Sequence, residues 1–218
     1  MNPETVLAVL GGTGPQGRGL ARRLALGGAK VVIGSRDAAR AEVVAKEMRE
    51  DGVGVVGIDN RAAAAAADIV IVAVPWDGHA QLLTELRPEL AGKIVIDCVN
   101  PLGFDKQGPY ALQVLEGSAA EQAKALLPDS RVVGAFHHLS AALLEDTTVA
   151  SLDTDVLVLG DDAEAVDVVI ELSALLPGVR GVFGGRLRNA HQVEALTANL
   201  IAMNKRYKAH AGVRITDV

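Results

Sequence analysis

Val6 to Gly17, reading Val-Leu-Ala-Val-Leu-Gly-Gly-Thr-Gly-Pro-Gln-Gly, is the stretch that most constrains the rest of the chain. Its apolar run Val6 to Leu10 leads into Gly12-x-Gly14-x-x-Gly17, and an amphipathic segment follows from Arg18. The pattern predicts a strand, a tight turn and a helix start. Glycine suits such a turn because the backbone must bend sharply, admit a phosphate group where a Cβ would stand, and pack the new helix closely on the strand. A helix start placed there offers unpaired N–H groups and the positive end of its dipole to an anion. Three glycines at this spacing are a weak signal in a chain with 23 of them, so context decides. What is required is a second strand that ends, roughly 20 residues on, in a ribose-reading residue. Lys30 to Gly34 followed by Ser35-Arg36 supplies it.

Farther along, Ala38 to Glu50 has helical spacing, Val53 to Ile58 reads as a third strand, and the alanine run Ala62 to Ala67 as a short crossover helix. Ile69 to Val74, closed by Pro75-Trp76, is the most continuous β-branched run and belongs in the middle of a parallel sheet. A helix over Gly78 to Leu90 and a strand over Lys93 to Val99, closed by Asn100-Pro101, come next. Leu102 to Gly117, with Gly103, Gly108, Pro109 and Gly117, is expected to be an irregular, mobile loop. Then come a helix over Ser118 to Leu127, strands over Arg131 to Phe136 and Val156 to Gly160, and a helix over Asp161 to Leu175. A last strand over Val179 to Phe183 precedes a long helix over Leu187 to Lys208. About eight strands alternating with helices imply an α/β, Rossmann-type doubly wound, mostly parallel sheet with a C-terminal helical lobe. The expected division is residues 1–184, a dinucleotide-binding domain with an extended sheet, and 185–218, a helical lobe that does not stand alone.

Composition narrows the class. With 50% hydrophobic and 3% aromatic residues, the core must be Ala, Val, Leu and Ile, which suits strands buried on both faces. A net charge of -6 argues against nucleic acid as a partner. Cys98 is the one cysteine, so an internal disulfide is excluded and a reducing compartment is expected. There is no 18-residue uncharged apolar run and no basic-then-apolar leader pattern, so a cytoplasmic protein without a membrane partner is expected. His79, His191 and His210 show no metal-ligand spacing, and there is neither a serine elbow nor a second cysteine for redox work.

Ligands of open α/β sheets bind at the carboxyl ends of strands, and three such ends stand out. At Ser35-Arg36, where NAD-preferring enzymes place an acidic residue, this chain has a hydroxyl, a guanidinium and, one helical turn on, Arg40. That set suits a 2′-phosphate and predicts NADP(H). Asp37 has the opposite sign but can cap the helix that follows. The second end is Val74-Pro75-Trp76, with Asp77 and His79 just beyond. Trp76 either walls a cofactor site or simply packs. Asn100-Pro101 is the third. His137-His138 follows the strand Arg131 to Phe136, and one of the pair could hydrogen-bond a ring carbonyl or carboxamide or supply a proton.

Taken together, the run Leu10 to Gly17, Gly34-Ser35-Arg36, Val74-Pro75-Trp76, Ala135-Phe136-His137 and Leu196-Thr197 resemble the F420-dependent NADP oxidoreductases over essentially the whole chain. The resemblance implies reversible hydride transfer between NADP(H) and the 8-hydroxy-5-deazaflavin coenzyme F420. It implies that Thr13, Gly14, Pro15 and Gln16 line the pyrophosphate and that Ser35, Arg36 and Arg40 hold the 2′-phosphate. It also implies that Trp76 and His79 lie near the nicotinamide, where the strand ends Val74-Pro75 and Asn100 are expected to bind the same cofactor, and that His137, Leu139 and Ala141 line the deazaflavin cavity. Three departures are visible: Arg40 stands where Lys also occurs, Asn100 replaces an apolar residue, and Gly78 reads as an insertion. Such a reaction needs positioning of two rings, with reacting carbons roughly 3 to 3.5 Å apart, more than acid-base groups. No catalytic residue is therefore assigned, His137 being the one candidate.

The coenzyme's phosphate and oligoglutamate tail call for a local basic patch. Arg180, Arg186, Arg188, Lys205, Arg206, Lys208 and Arg214, set against Glu194 and Asp217, could form it. Apolar Val193, Leu196, Leu200, Ile201 and Met203 on the last helix predict a homodimer interface. Two other readings stay open at this point: an NADP-dependent imine or β-hydroxyacid type reductase, drawing a proton donor from Asn199, Asn204 or Lys205, and a non-catalytic NADP-sensing module.

Overall fold

Alternation along the strands decides how the sheet is covered. In β1 (Val6–Leu10), Leu7 and Val9 join one buried cluster while Ala8 and Leu10 join another on the opposite face. A strand apolar on both sides must be sandwiched between helices. The computed structural model describes residues 2 and 4–218. After β1 come α1 (Pro15–Leu26), β2 (Lys30–Ser35), α2 (Ala38–Glu50), β3 (Val55–Asp59), α3 (Asn60–Ala66) and β4 (Ile69–Val72). They are followed by α4 (His79–Glu85), α5 (Arg87–Leu90), β5 (Ile94–Asp97), β6 (Leu102–Asp105), β7 (Gly108–Ala111), α6 (Ala119–Leu126) and β8 (Arg131–Gly134). The chain ends with α7 (Ala141–Glu145), β9 (Thr154–Gly160), α8 (Ala163–Ser173), β10 (Val179–Gly185) and α9 (Ala190–Tyr207).

Eight strands form one sheet in the order β10-β9-β8-β5-β4-β1-β2-β3. β1 to β5 and β8 run parallel, while β9 pairs antiparallel with β8 and parallel with β10. Leu20, Leu24, Val44, Met48, Val169 and Leu172, from α1, α2 and α8, cover one face. The other is covered by α3 to α6 through Ala63, Ala64, Leu83, Leu90 and Ala123. The chain winds outward from β1 to β3 and then crosses back to β4, so the strand order reverses between β1 and β4. That reversal opens a crevice above their carboxyl ends, where the glycine turn lies. The fold is the doubly wound α/β sheet expected, with α9 following it.

Three local expectations are corrected. Residues 102–117 are not irregular throughout: β6 and β7 form an antiparallel hairpin, Leu102 opposite Ala111. Its turn is closed by the Asp105 carboxylate, which accepts from the Gln107 and Gly108 amides, with Gly108 at φ +120. The helix expected over Gly78 to Leu90 is broken into a 3₁₀ turn, α4 and α5, because Pro88 at the start of α5 brings no N–H to continue the ladder. α7 was not expected at all. It is docked by Arg23, whose guanidinium donates to the carbonyls of Leu143, Leu144, Asp146 and Val149.

Candidate active site

The glycine turn is built by close approach. Gly11 has φ +79, and a Cβ there would stand 2.5 Å from the Ala73 carbonyl oxygen. This is how the end of β1 meets the end of β4. Gly14 differs: a Cβ on it would come no nearer than 3.5 Å to any protein atom, at the Gly11 carbonyl. The space above Gly14 is therefore open, and it lies at the start of α1, which has no side-chain cap. Uncapped N–H groups beside an open backbone form a cradle that fits a pyrophosphate.

At the end of β2, Ser35 is buried and its Oγ accepts from the Asp37 amide, leaving its hydroxyl hydrogen free to donate. Asp37 caps α2, accepting from Ala39 and Arg40 amides at 2.9 and 3.3 Å. Its charge is thus spent on the helix start. Arg36 and Arg40 are exposed, and neither has an ion-pair partner among the described residues. A hydroxyl flanked by two uncommitted guanidinium groups fits a 2′-phosphate.

At the end of β4, Pro75 leads into the 3₁₀ turn Trp76–Gly78, and the half-buried Trp76 stacks on the His79 ring with centroids 5.5 Å apart. His79 itself is fully buried. Its Nε2 lies 2.6 Å from Asp97 Oδ2 and its Nδ1 2.9 Å from Gln122 Oε1. Burial lowers its pKa, but Asp97 and Gln122 outweigh that and leave it above the usual histidine value. Both ring nitrogens of His79 are thus engaged within the protein, and the ring packs on Trp76.

Residues 135–141 form the junction of the site. Phe136 adopts φ +64, a strained conformation for a bulky residue. The strain is held by side chains: Gln16 Nε2 donates to the Phe136 carbonyl at 3.1 Å, while Asn100 Nδ2 and Thr197 Oγ1 donate to the His137 carbonyl at 2.8 and 3.2 Å. Because Asn100 Nδ2 faces a carbonyl, its Oδ1 is the free end, and that oxygen is buried without a partner. Burial pushes the His137 pKa down to about 4, Asp97 opposing and His138 adding to the shift. Burial thus favours the neutral ring, whose two nitrogens are buried without a hydrogen-bond partner. Below it, Glu194 accepts from the Ala119 and Ala120 amides at the start of α6, and burial raises its pKa to about 7.

A cavity of about 330 Å³ opens at this junction. Gln16, Val74, Asn100, His137, Leu139 and Ala141 line it, as does an α9 stripe of Thr197, Leu200, Ile201 and Asn204. Pro75, Trp76, Ser35, Arg36 and Arg40 lie outside it. The spacing of the α9 stripe, i, i+3, i+4, i+7, was visible in the sequence as one helix face. It shares Leu200 and Ile201 with the apolar set Val193, Leu196, Leu200, Ile201 and Met203 expected at a dimer interface. Those two residues line the cavity, and Met203 is the exposed member of the set. Asn204 Oδ1 is taken by the Ala211 amide, and Asn199 and Lys205 are exposed outside the cavity, so of these three only Asn204 lines it. Cys98 also lines the cavity, but its thiol donates to the Val72 carbonyl and burial holds its pKa far above the usual range. The basic patch shrinks too. Arg180 and Arg214 are bound to Asp155, and Arg186 lies 3.9 Å from Asp161.

Residues 6–101 match the family described as NADP oxidoreductase, coenzyme F420-dependent. The chain is 39% identical over 221 residues to the F420-dependent NADP reductase of Methanocaldococcus jannaschii, covering 97% of this chain and 98% of that one. A crystal structure from Arthrobacter sp. FB24, provisionally assigned as an F420-dependent NADP-reductase, superposes with a TM-score of 0.82 at 29% identity over 97% of this chain and 99% of the other. A reductive aminase from Aspergillus terreus in complex with NADPH shares the fold alone, with a TM-score of 0.65 at 20% identity over 94% of this chain and 62% of that one.

Proposed function

The chain belongs to the F420-dependent NADP oxidoreductase family, and on that premise we propose how its residues divide the work between two cofactors. It is an oxidoreductase that transfers a hydride between NADP(H) and coenzyme F420. The cofactors supply the redox chemistry when bound, one reduced ring giving up the hydride and the other accepting it. The protein binds, orients and shields.

Backbone amides of Thr13 and Gln16 hold the pyrophosphate at the start of α1, with Gly14, its amide on the Gly11 carbonyl, leaving room for the phosphates and the Pro15 ring closing the turn. Ser35, Arg36 and Arg40 hold the 2′-phosphate. Val74, Pro75 and Trp76 wall the nicotinamide, and the free Oδ1 of Asn100 accepts its carboxamide N–H. His137, Leu139 and Ala141, with Leu200 and Ile201 across the cavity, hold the deazaflavin ring and exclude water. His137 acts through its carbonyl, which keeps Asn100 and Thr197 in place. The observation that carries this reading is that single junction: Gln16 from the pyrophosphate turn, Asn100 from the sheet and Thr197 from α9 all bond adjacent carbonyls of one strained loop. Two rings bound on either side of it are held at fixed separation.

The finer assignments are ours as well. Residues 185–218 act as a lobe that completes the second pocket on the 1–184 domain. Arg188, Lys205, Arg206 and Lys208, for which no ion pair occurs among the described residues, receive the acidic tail. Exposed Phe104, Tyr110 and Leu115 near the hairpin, with Met203 and Tyr207 of α9, are covered by a second copy in a homodimer. No helix among the described residues is long and apolar enough to cross a membrane, and the free thiol of Cys98 suits the cytoplasm. Mixing the protein with NADPH and oxidised F420 tests the whole: the deazaflavin absorbance should bleach, and a stable band in the presence of folded protein would reject the reading. The dimer is tested by sedimentation equilibrium of Leu115→Asp, expected to be monomeric.

A further inference from the structure

After α9, Lys208 takes a left-handed conformation at φ 52 and turns the chain back over the mouth of the cavity. The segment 209–216 has almost no apolar anchorage: Ala211, Val213 and Ile215 are half-buried and its other residues are exposed. It is held instead by polar contacts to three consecutive residues: Asp153 pairs with Arg214, Thr154 Oγ1 bonds both the Val213 amide and carbonyl, and the Asp155 carboxylate, the buried acid of the three, takes the most bonds. Asp155, the second residue of β9, is wholly buried in a strand otherwise made of Thr, Val, Leu and Gly.

That carboxylate accepts from Arg180 Nε and Nη2 at 3.1 and 2.8 Å, from Arg214 Nη1 at 2.7 Å, and from the Ile215 amide at 2.7 Å. Arg180 also reaches the Ile215 carbonyl at 2.7 Å, so the cross-strand neighbour of Asp155 clasps the same segment. The Asp155 backbone is committed in the same direction. Its amide donates to the Val213 carbonyl, and its own carbonyl accepts from His138 Nε2, each at 2.7 Å. A buried charge is costly unless fully hydrogen-bonded, and here every partner of the carboxylate belongs to the segment or clasps it. The segment in turn places Ala211 in the cavity wall, with its amide on Asn204 Oδ1, and sets His210 against Ser140 Oγ at 3.3 Å.

We propose that Asp155 is a positioning residue for the second substrate: by clamping residues 211–215 it builds the outer wall of the deazaflavin pocket and sets affinity for that ring, with no part in holding NADP(H). This rests on assigning the cavity to the deazaflavin. Because His138 donates from Nε2 to a carbonyl, the same residue also fixes which imidazole nitrogen is bare on the inner wall. Releasing the clamp leaves the glycine turn, Ser35, Arg36 and Arg40 untouched, since the turn follows β1 and the others follow β2, four and five strands across the sheet from β9.

The test uses the full chain. Asp155→Asn should speed amide hydrogen exchange at Val213 and Ile215 by at least about tenfold. It should raise KM for F420 about tenfold, leave KM for NADPH within about twofold, and change kcat by less than about threefold. A merely structural role would raise both KM values together and lower the melting temperature without that split, and such a result overturns the proposal. Faster exchange with an unchanged KM for F420 also overturns it. Should Asp155→Asn fail to fold, Arg214→Gln, which removes one clamp arm, and Ala211→Trp, which fills the wall, must show the same selective rise. Leu200→Trp separates the two levels: if it leaves KM for F420 unchanged, the cavity assignment itself is wrong and the proposal falls with it. If it raises that KM while the clamp variants do not, only the proposal fails.

Discussion

Residues 6–40 and the wall made by residues 135–141, 197–204 and 211 face one cleft but are constructed differently. The first is continuous in sequence: strand, turn, helix and second strand place the pyrophosphate cradle and the 2′-phosphate residues, with the close approach of β4 at Ala73 as their distant support. Its chemistry is backbone amide and uncommitted arginine. The second is assembled across 120 residues of separation between Gln16 and Phe136, and its chemistry is side chains tying down carbonyls. The NADP side should therefore break sharply at single residues, whereas the deazaflavin side should weaken by degrees.

The sharpest break is Gly11→Ala. A Cβ placed 2.5 Å from the Ala73 carbonyl at φ +79 combines left-handed strain with a backbone clash, and calorimetry should find a loss of about 4 kcal/mol or more, with NADPH binding abolished. A loss under about 1 kcal/mol would mean that β1 and β4 need not meet so closely.

Next is the buried carboxylate under the second wall. Glu194 has a folded pKa of about 7, above its unfolded value, so the native state holds more protons than the unfolded one between about pH 4.5 and 7. Its contribution is thus most favourable below that window and lost as pH rises through it. His137, lowered to about 4, has the opposite slope over nearly the same range and masks it. The stability of the native protein relative to Glu194→Gln should fall by about 3 kcal/mol from pH 4 to pH 8 in urea titrations. A difference independent of pH would contradict the assignment.

Arg36→Ala with Arg40→Ala should raise KM for NADPH about a hundredfold while leaving NADH nearly unchanged, since two charge-assisted contacts are lost. An unchanged NADPH to NADH ratio would remove these arginines from the 2′-phosphate. Smallest is Asn100→Ala, which frees the His137 carbonyl and removes the unpaired Oδ1. Initial rates should fall about tenfold in kcat/KM without loss of fold, and a normal rate would show that the junction tolerates a missing tie.

The same contrast explains what could be read in advance. Strand alternation, the glycine spacing and the Asp37 cap are local properties, and each appeared where the sequence placed it. The β6–β7 hairpin was missed because its turn is made by an Asp105 side chain and one left-handed glycine, a weaker signal than the glycines and proline around it. The burial of His79 was not legible because it is decided by Asp97 and Gln122, 18 and 43 residues away. Arg180 and Arg214 looked free for a ligand until β9 brought Asp155 between them. The α9 stripe was legible as a face, but what it faces depends on how residues 135–141 fold back. Periodicity carries no such information.

The most direct measurement is steady-state KM for both cofactors in two variants, Arg36→Ala with Arg40→Ala on one side and Leu200→Trp on the other. Each should raise only its own KM by about tenfold or more, NADPH for the first and F420 for the second. Equal rises in both constants for either variant would contradict a site made of two separately built halves.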